Sequence, residues 1–318
     1  MGKITGNRNI RVLVAALLAL AVAISTAGAA FAVEAPSTVA LDANGGKVSP
    51  QAVTVTAGDV YGPLPTPTRK GYAFKGWQAD DGSKASEGAT VPTPAPKALY
   101  AQWKAKAYKT TYNVNFTWPS SAGVPKSWIP GYIKTSKTVT YGKKYGALPT
   151  RWRVGYLMKG WYTKKSGGKK ITSSTKASIT KNTTYYARWK AASADEIAKA
   201  IAKAAKKGKT DKERIQAATD AVAAFTAQNR YTTSEADYNN PTGVFVKGAS
   251  SCAGATRALG LVLTYMGYSW EHVNPNQWTH QWCRVHTSSG TMWADADSIH
   301  VGQDGEIHGT TGTGERSL

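Results

Sequence analysis

The chain of 318 residues is 42% hydrophobic and carries 11 Trp and 16 Tyr, which is enough apolar material for two or three packed domains and excludes an intrinsically disordered protein. Its formal charge of +21 has one source: residues 104–190 hold 19 Lys or Arg and no Asp or Glu, whereas Ser193 to Glu315 holds 11 basic and 13 acidic residues, followed by Arg316. Two Cys exclude a disulfide-stapled scaffold, so the domains must be held by packing.

Lys3, Arg8 and Arg11 precede an apolar run, Val12 to Ile24, followed by small residues and Ala30-Phe31-Ala32. A basic start, an apolar stretch and a small-x-small site predict a signal peptide over residues 1–32, cleaved after Ala32. The alternative is an uncleaved anchor, against which Ser25, Thr26 and Gly28 count. No second apolar segment follows and no C-terminal wall-sorting pattern is visible. A secreted protein without an integral membrane span is therefore expected.

Two tandem repeats come next, over 39–104 and 109–190. The first reads Tyr61-Gly62-Pro63-Leu64-Pro65-Thr66, Gly71-Tyr72-Ala73-Phe74-Lys75-Gly76-Trp77 and Leu99-Tyr100-Ala101-Gln102-Trp103. The second reads Tyr145-Gly146-Ala147-Leu148-Pro149-Thr150, Gly155-Tyr156-Leu157-Met158-Lys159-Gly160-Trp161 and Tyr185-Tyr186-Ala187-Arg188-Trp189. Tyr to Trp is 16 residues in both, and Trp to Trp is 26 and 28. Short alternating runs between Gly and Pro turns predict half-buried strands, with the Trp residues filling small cores. These motifs resemble the Listeria–Bacteroides repeat of the internalin B-repeat type, which implies a small β-grasp-like module of bacterial surface proteins, in a Gram-positive cell. The second copy departs from the first at its start, where Thr117-Trp118-Pro119 and a longer loop stand for Leu41-Asp42-Ala43-Asn44-Gly45-Gly46. Its unopposed cations predict a polyanionic partner, the competing reading being an ordinary solvated face. Export takes nucleic acid out of consideration, so anionic cell-wall polymers are the expected ligand.

Ser193-Ala194-Asp195-Glu196 and Thr210-Asp211-Lys212-Glu213 are capping boxes that predict two helices, with Ile197 and Ile201 inward in one and Ile215, Ala218, Val222 and Phe225 in the other. Cys252 then follows the loop Gly248-Ala249-Ser250-Ser251 and opens a helix with Ala255, Leu259, Leu263 and Met266 on its apolar face. A thiol at a helix N-terminus faces free N–H groups and the positive end of the dipole, which favour the nucleophilic thiolate and could receive an oxyanion. His280 and Asp295, 15 residues apart, fall on two strand-like runs joined by Ser288-Ser289-Gly290, so a hairpin would bring the imidazole to the carboxylate.

Cys252-Ala253-Gly254, Arg257-Ala258-Leu259, Gly267-Tyr268, His280-x-Trp282 and Trp293-x-Asp295-Ala296 together resemble the transglutaminase-like (papain-like) superfamily. The resemblance implies an α+β domain over 193–318 in which Cys252, His280 and Asp295 form a catalytic triad, with Asp297 as the other candidate acid. The expected activity is acyl transfer to an amine or hydrolysis of an amide, on protein or peptidoglycan-peptide substrates, with no cofactor and no metal. Three alternatives stay open. A Cys252–Cys283 disulfide would block the thiol. A zinc set of Cys283, His280, His286 and His300 lacks the usual ligand spacing. The domain could also be a non-catalytic binder. Gln277 and Trp278, close to His280, are candidates for shaping the acyl pocket.

Overall fold

The computed structural model describes residues 34–121, 132–275, 279–301 and 307–316. The expected signal peptide, Gln277 and Trp278 lie outside these residues. Among the described residues no helix is long and apolar enough to cross a membrane. The fold mixes strand-rich sheets with a few helices and divides into two compact units, the chain passing from one to the other between Lys104 and Ala105.

The first unit is a five-stranded sheet of β1 (Ser37–Asp42), β2 (Ala52–Val55), β3 (Tyr72–Ala79), β4 (Lys84–Ala85) and β5 (Ala98–Ala105), in the order β2-β1-β5-β3-β4. β1 and β5 run parallel, with Ala40 opposite Ala98. Alternation along the strands turns Val39 and Leu41, Trp77 and Ala79, and Leu99 and Ala101 into one core. The indole N–H groups of Trp77 and Trp103 tie down the flanking loops, donating to the carbonyls of Pro65 and Ala43 at 3.0 Å each.

The second repeat repeats that topology with β6 (Ala107–Asn113), β7 (Lys134–Thr140), β8 (Tyr156–Tyr162), β9 (Lys170–Ile171) and β10 (Thr183–Ala191), ordered β7-β6-β10-β8-β9. Trp161 and Trp189 donate to the carbonyls of Pro149 and Val114 at 2.8 Å each, so Val114 stands where Ala43 stands in the first copy. Asn115 likewise takes the place of Asn44: both have positive φ, 56° and 45°, and both donate to a β-strand carbonyl, Ala187 and Ala101. The equivalent of the Leu41–Gly46 turn is therefore Asn113-Val114-Asn115, not Thr117-Trp118-Pro119. Trp118 is released from the repeat pattern and packs elsewhere, as described below.

Several of the basic residues have structural duties. Arg151 is buried and donates to the carbonyls of Tyr132 and Thr150 at 3.2 and 2.9 Å. Arg153 and Arg188 lie over the rings of Tyr156 and Tyr162, 4.0 and 4.1 Å from their centres. Lys137 donates to the carbonyls of Tyr145 and Ala147. Lys143, Lys144, Lys164, Lys165, Lys169 and Lys170 remain exposed.

After the second sheet come α1 (Ala194–Ala205) and α2 (Asp211–Thr226), each started by its capping box, with the Ser193 and Thr210 side chains and the Glu196 and Glu213 carboxylates bonding reciprocally. Two short strands, β11 (Arg230–Tyr231) and β12 (Ala249–Ser250), pair in parallel around a π-helical turn, Gly243–Lys247. α3 (Cys252–Met266) then packs on an antiparallel sheet of β13 (Ser269–Val273), β14 (Trp282–Thr287), β15 (Gly290–Val301) and β16 (Ile307–Thr313), ordered as in the chain. Ile197, Ile201, Ile215, Val222, Phe225, Leu259 and Leu263 fill the core between helices and sheet.

The second repeat and this region share one compact unit. Trp118 and Tyr132 pack with Ala223, Ala224 and Ala227 of the α2 end, and Trp152 stacks toward Phe225 at 6.0 Å. The Gly155 N–H donates to Phe245 O at 2.7 Å, and Gln228 donates to Trp152 O at 3.2 Å.

Gly260 faces Trp270 so closely that an added Cβ would lie 2.0 Å from the indole. Gly260→Ala is therefore expected to destabilise this unit by about 1–3 kcal/mol, read as a lowered urea midpoint. An unchanged midpoint would show that the indole can swing away without cost.

Candidate active site

Cys252 is held at the first position of α3 from two sides. Thr232 N–H donates to Ser250 O at 3.1 Å, and Ser251 N–H donates to Tyr238 O at 3.0 Å. Asn229 fixes the Ser250 hydroxyl at 2.8 Å. The Gly of Cys-Ala-Gly has a steric cause: a Cβ at Gly254 would lie 2.4 Å from the Tyr238 carbonyl oxygen. Ser251, the extended N-cap, makes no side-chain cap bond, which leaves the first-turn amides of α3 to other acceptors.

His280 stands two residues before β14, and its carbonyl accepts from Asn274 at 3.2 Å. Its Nε2 is 2.6 Å from Oδ2 of Asp295. The Cys252 thiol lies within 4.8 Å of a His280 ring nitrogen. Pairing of Cys283 with Ala294 across the β14–β15 hairpin carries Asp295 to the His280 end of the sheet. The structure thus brings Cys252, His280 and Asp295 together in the order the sequence anticipates. Asp297, two residues on and on the same face of β15, is also there. Its carboxylate, the Cys252 thiol and a His280 nitrogen all lie within 4.8 Å of one another. Those three donors could hold a thiophilic divalent ion, which would occupy the thiol.

Asp295 is 1% exposed. Besides His280, its carboxylate accepts the Asp297 N–H at 2.9 Å and the guanidinium of Arg316. Arg316 is held between Trp282 and Trp293, 5.1 and 5.0 Å from their ring centres. Hydrogen bonding of the ring to Asp295, and next to Cys252, pushes the His280 pKa up to about 10 against the opposing effect of burial. Burial, reinforced by the charge of Asp295, pushes Asp297 up to about 6. Tyr231 is pushed up by burial and by its contact with Cys252.

Both thiols are free, so the Cys252–Cys283 bridge is not formed. Cys283 is buried, donates to Thr256 O at 3.3 Å, and has its pKa pushed up by burial. His286 bonds to Glu271 at 2.8 Å. Cys283 and His286 are thereby committed away from His280, and the zinc set of the sequence reading is not assembled around them. Arg316 and Tyr231 were missed by sequence reasoning. The one available signal was the pair of Trp residues flanking the His and Asp positions, which prepares a seat for a cation without naming it.

A family model for the Listeria–Bacteroides repeat domain matches residues 38–102 and 126–188. The chain carries two Listeria–Bacteroides repeats. Internalin H of Listeria monocytogenes serovar 1/2a is 30% identical over 154 residues, 48% of this chain and 25% of that protein. The chain thus matches about a quarter of the length of that curated relative. Neither interval of the repeat family reaches Cys252.

Because the folded pKa of His280 lies above its unfolded value, the stability contributed by its pairing is complete below about pH 6.5 and is lost as pH rises through about 10. Asp295→Asn removes the largest cause. The His280 titration, followed by NMR, is then expected to fall toward the ordinary imidazole range near 6.5. A titration that stays near 10 would mean that Asp295 does not set it. Arg316→Ala leaves the buried carboxylate with one cationic partner instead of two, and is expected to lower unfolding free energy by about 1.5–3 kcal/mol.

Proposed function

We propose that the C-terminal region is a transglutaminase-like, papain-like cysteine enzyme, carried by an exported, surface- or wall-associated protein and using Cys252, His280 and Asp295 for acyl transfer. The observation that carries this reading is His280 itself, bonded to Asp295 at 2.6 Å with the Cys252 thiol within 4.8 Å of its ring. In the proposed cycle the Cys252 thiolate attacks the carbonyl carbon of a carboxamide or peptide. The carbonyl oxygen becomes an oxyanion that the first-turn amides of α3 can receive. Protonated His280 gives its proton to the departing amine as the C–N bond breaks, leaving a thioester on Cys252. An incoming amine or water then loses a proton to His280 and attacks the thioester carbon, which releases the acyl product and restores the thiolate. Asp295 stays ionised throughout and stabilises the imidazolium.

Cys252 is expected to be alkylated selectively by iodoacetamide near neutral pH, whereas buried Cys283 is spared. Cys252→Ala and His280→Ala are expected to lower turnover of peptide carboxamides by at least about 10²-fold. Selective alkylation with no turnover on amine-acceptor or peptidoglycan-peptide substrates would favour the second reading, a non-catalytic wall-binding protein. That reading draws support from the matched repeats and from the exposed cations of the second one.

For those cations the proposed partner is an anionic wall polymer. Retention of the protein on isolated cell walls is expected to fall steeply between about 0.05 and 0.5 M NaCl, as screening shortens the reach of exposed charges. Retention that ignores salt, or that survives neutralising Lys164, Lys165, Lys169 and Lys170 together, would remove this partner.

A further inference from the structure

A cleft of about 360 Å³ opens beside Cys252, with Tyr231, Asn239, Ser251, Arg257 and Gln281 among its lining residues. Its electrostatics are one-sided. Arg257, always cationic at physiological pH, is the charged side chain of the lining, and no Asp or Glu is among the described residues that form it. The carboxylates nearest the thiol, Asp295 and Asp297, stand with His280 and do not line the cleft. One guanidinium nitrogen of Arg257 donates to the Asn239 carbonyl at 2.7 Å, which holds the group in place and leaves its remaining donors without a carboxylate among the described residues. The neighbouring imidazole offers no competing anion: His272 bonds to Gln281 at 2.6 Å, and burial lowers its pKa. A second observation concerns Ser251. It is 2% exposed, lines the same cleft, and its hydroxyl has no partner among the described residues. The cleft wall thus carries an unpartnered hydroxyl as well as a half-satisfied cation.

We infer that this cleft takes an acyl substrate bearing a carboxylate about one residue away from the reacting carbonyl, with Arg257 as its partner. The inference rests on the proposed acyl transfer at Cys252. Arg257 and Cys252 come from one helix, five residues apart, and line the same cleft, so a carboxylate bound at Arg257 is set off from the carbon that the thiol attacks. A free C-terminus or an acidic side chain on the next residue of a peptide is the nearest place for such a carboxylate. The fork of the guanidinium matches a carboxylate in a way that a neutral amide cannot.

The test is the alkylation rate of Cys252 in the full chain by three reagents: iodoacetamide, N-iodoacetylglycine and N-iodoacetylglycinamide. In each the thiolate displaces iodide and forms a C–S bond, and the last two differ only in a carboxylate set one residue from the reacting carbon. The acid is expected to react about tenfold faster than the amide once both are normalised to iodoacetamide. Arg257→Gln is expected to abolish that preference and Arg257→Lys to keep part of it. The Gln amide can still donate to Asn239 O, so the cleft wall retains its tie. Equal normalised rates for acid and amide, or a preference unchanged in Arg257→Gln, would overturn the carboxylate site while leaving the nucleophile in place. Failure of all three reagents to label Cys252 would overturn the acyl-transfer reading and the carboxylate site with it.

Discussion

A carboxylate buried to 1% exposure has to be paired, and the pairing of Asp295 organises the C-terminal region. Its oxygens accept from His280, from the Asp297 amide and from Arg316, which come from a loop, a strand and the chain's last described residue. Leaving such a charge without partners costs several kcal/mol, so the three segments are held to one arrangement. The same pairing turns a histidine of ordinary basicity into one that keeps its proton up to about pH 10. The strand that supplies Asp295 is fixed in turn by the Cys283–Ala294 pairing, whose side chains are fully buried. A slip of one residue would turn them to the other face.

α3 is the second fixed part. Gly254 admits the Tyr238 carbonyl and Gly260 admits the Trp270 indole. The apolar face of the helix, with Leu259 and Leu263, is buried against the α1 and α2 core. Cys252 therefore stands on a helix that is packed along its length, while the loop before it is tied by backbone bonds to Thr232 and Tyr238. In the proposed enzyme this rigidity keeps the thiol and imidazole in line.

The second repeat contributes to this stability directly. Its departures from the repeat pattern, Trp118, Tyr132 and Trp152, are the residues that meet α2 and Gln228. Its Arg residues at 151, 153 and 188 are absorbed by carbonyls and rings, so the cationic surface belongs to the exposed Lys residues around β7 to β9. A charge count overstates what a surface can offer when the longer, flatter guanidinium groups are spent on packing.

Sequence alone determined everything that depends on local spacing. The two capping boxes fixed the starts of α1 and α2, the Tyr–Trp intervals marked the repeats, and the thiol, imidazole and carboxylate were found in chain order. What distance along the chain cannot carry was decided by tertiary structure. That His280 bonds to Asp295, with Asp297 on the same strand face as the other candidate acid, follows from hairpin register. Arg316 lies 36 residues beyond His280 and reaches Asp295 only because β16 returns along β15. The buried state of Cys283, which removes the disulfide, depends on its facing Thr256 of α3 across the core. Local pattern encodes which groups are present; the burial that makes a carboxylate seek partners, and that sets apart one cysteine from the other, exists only once helices and sheet have closed on each other.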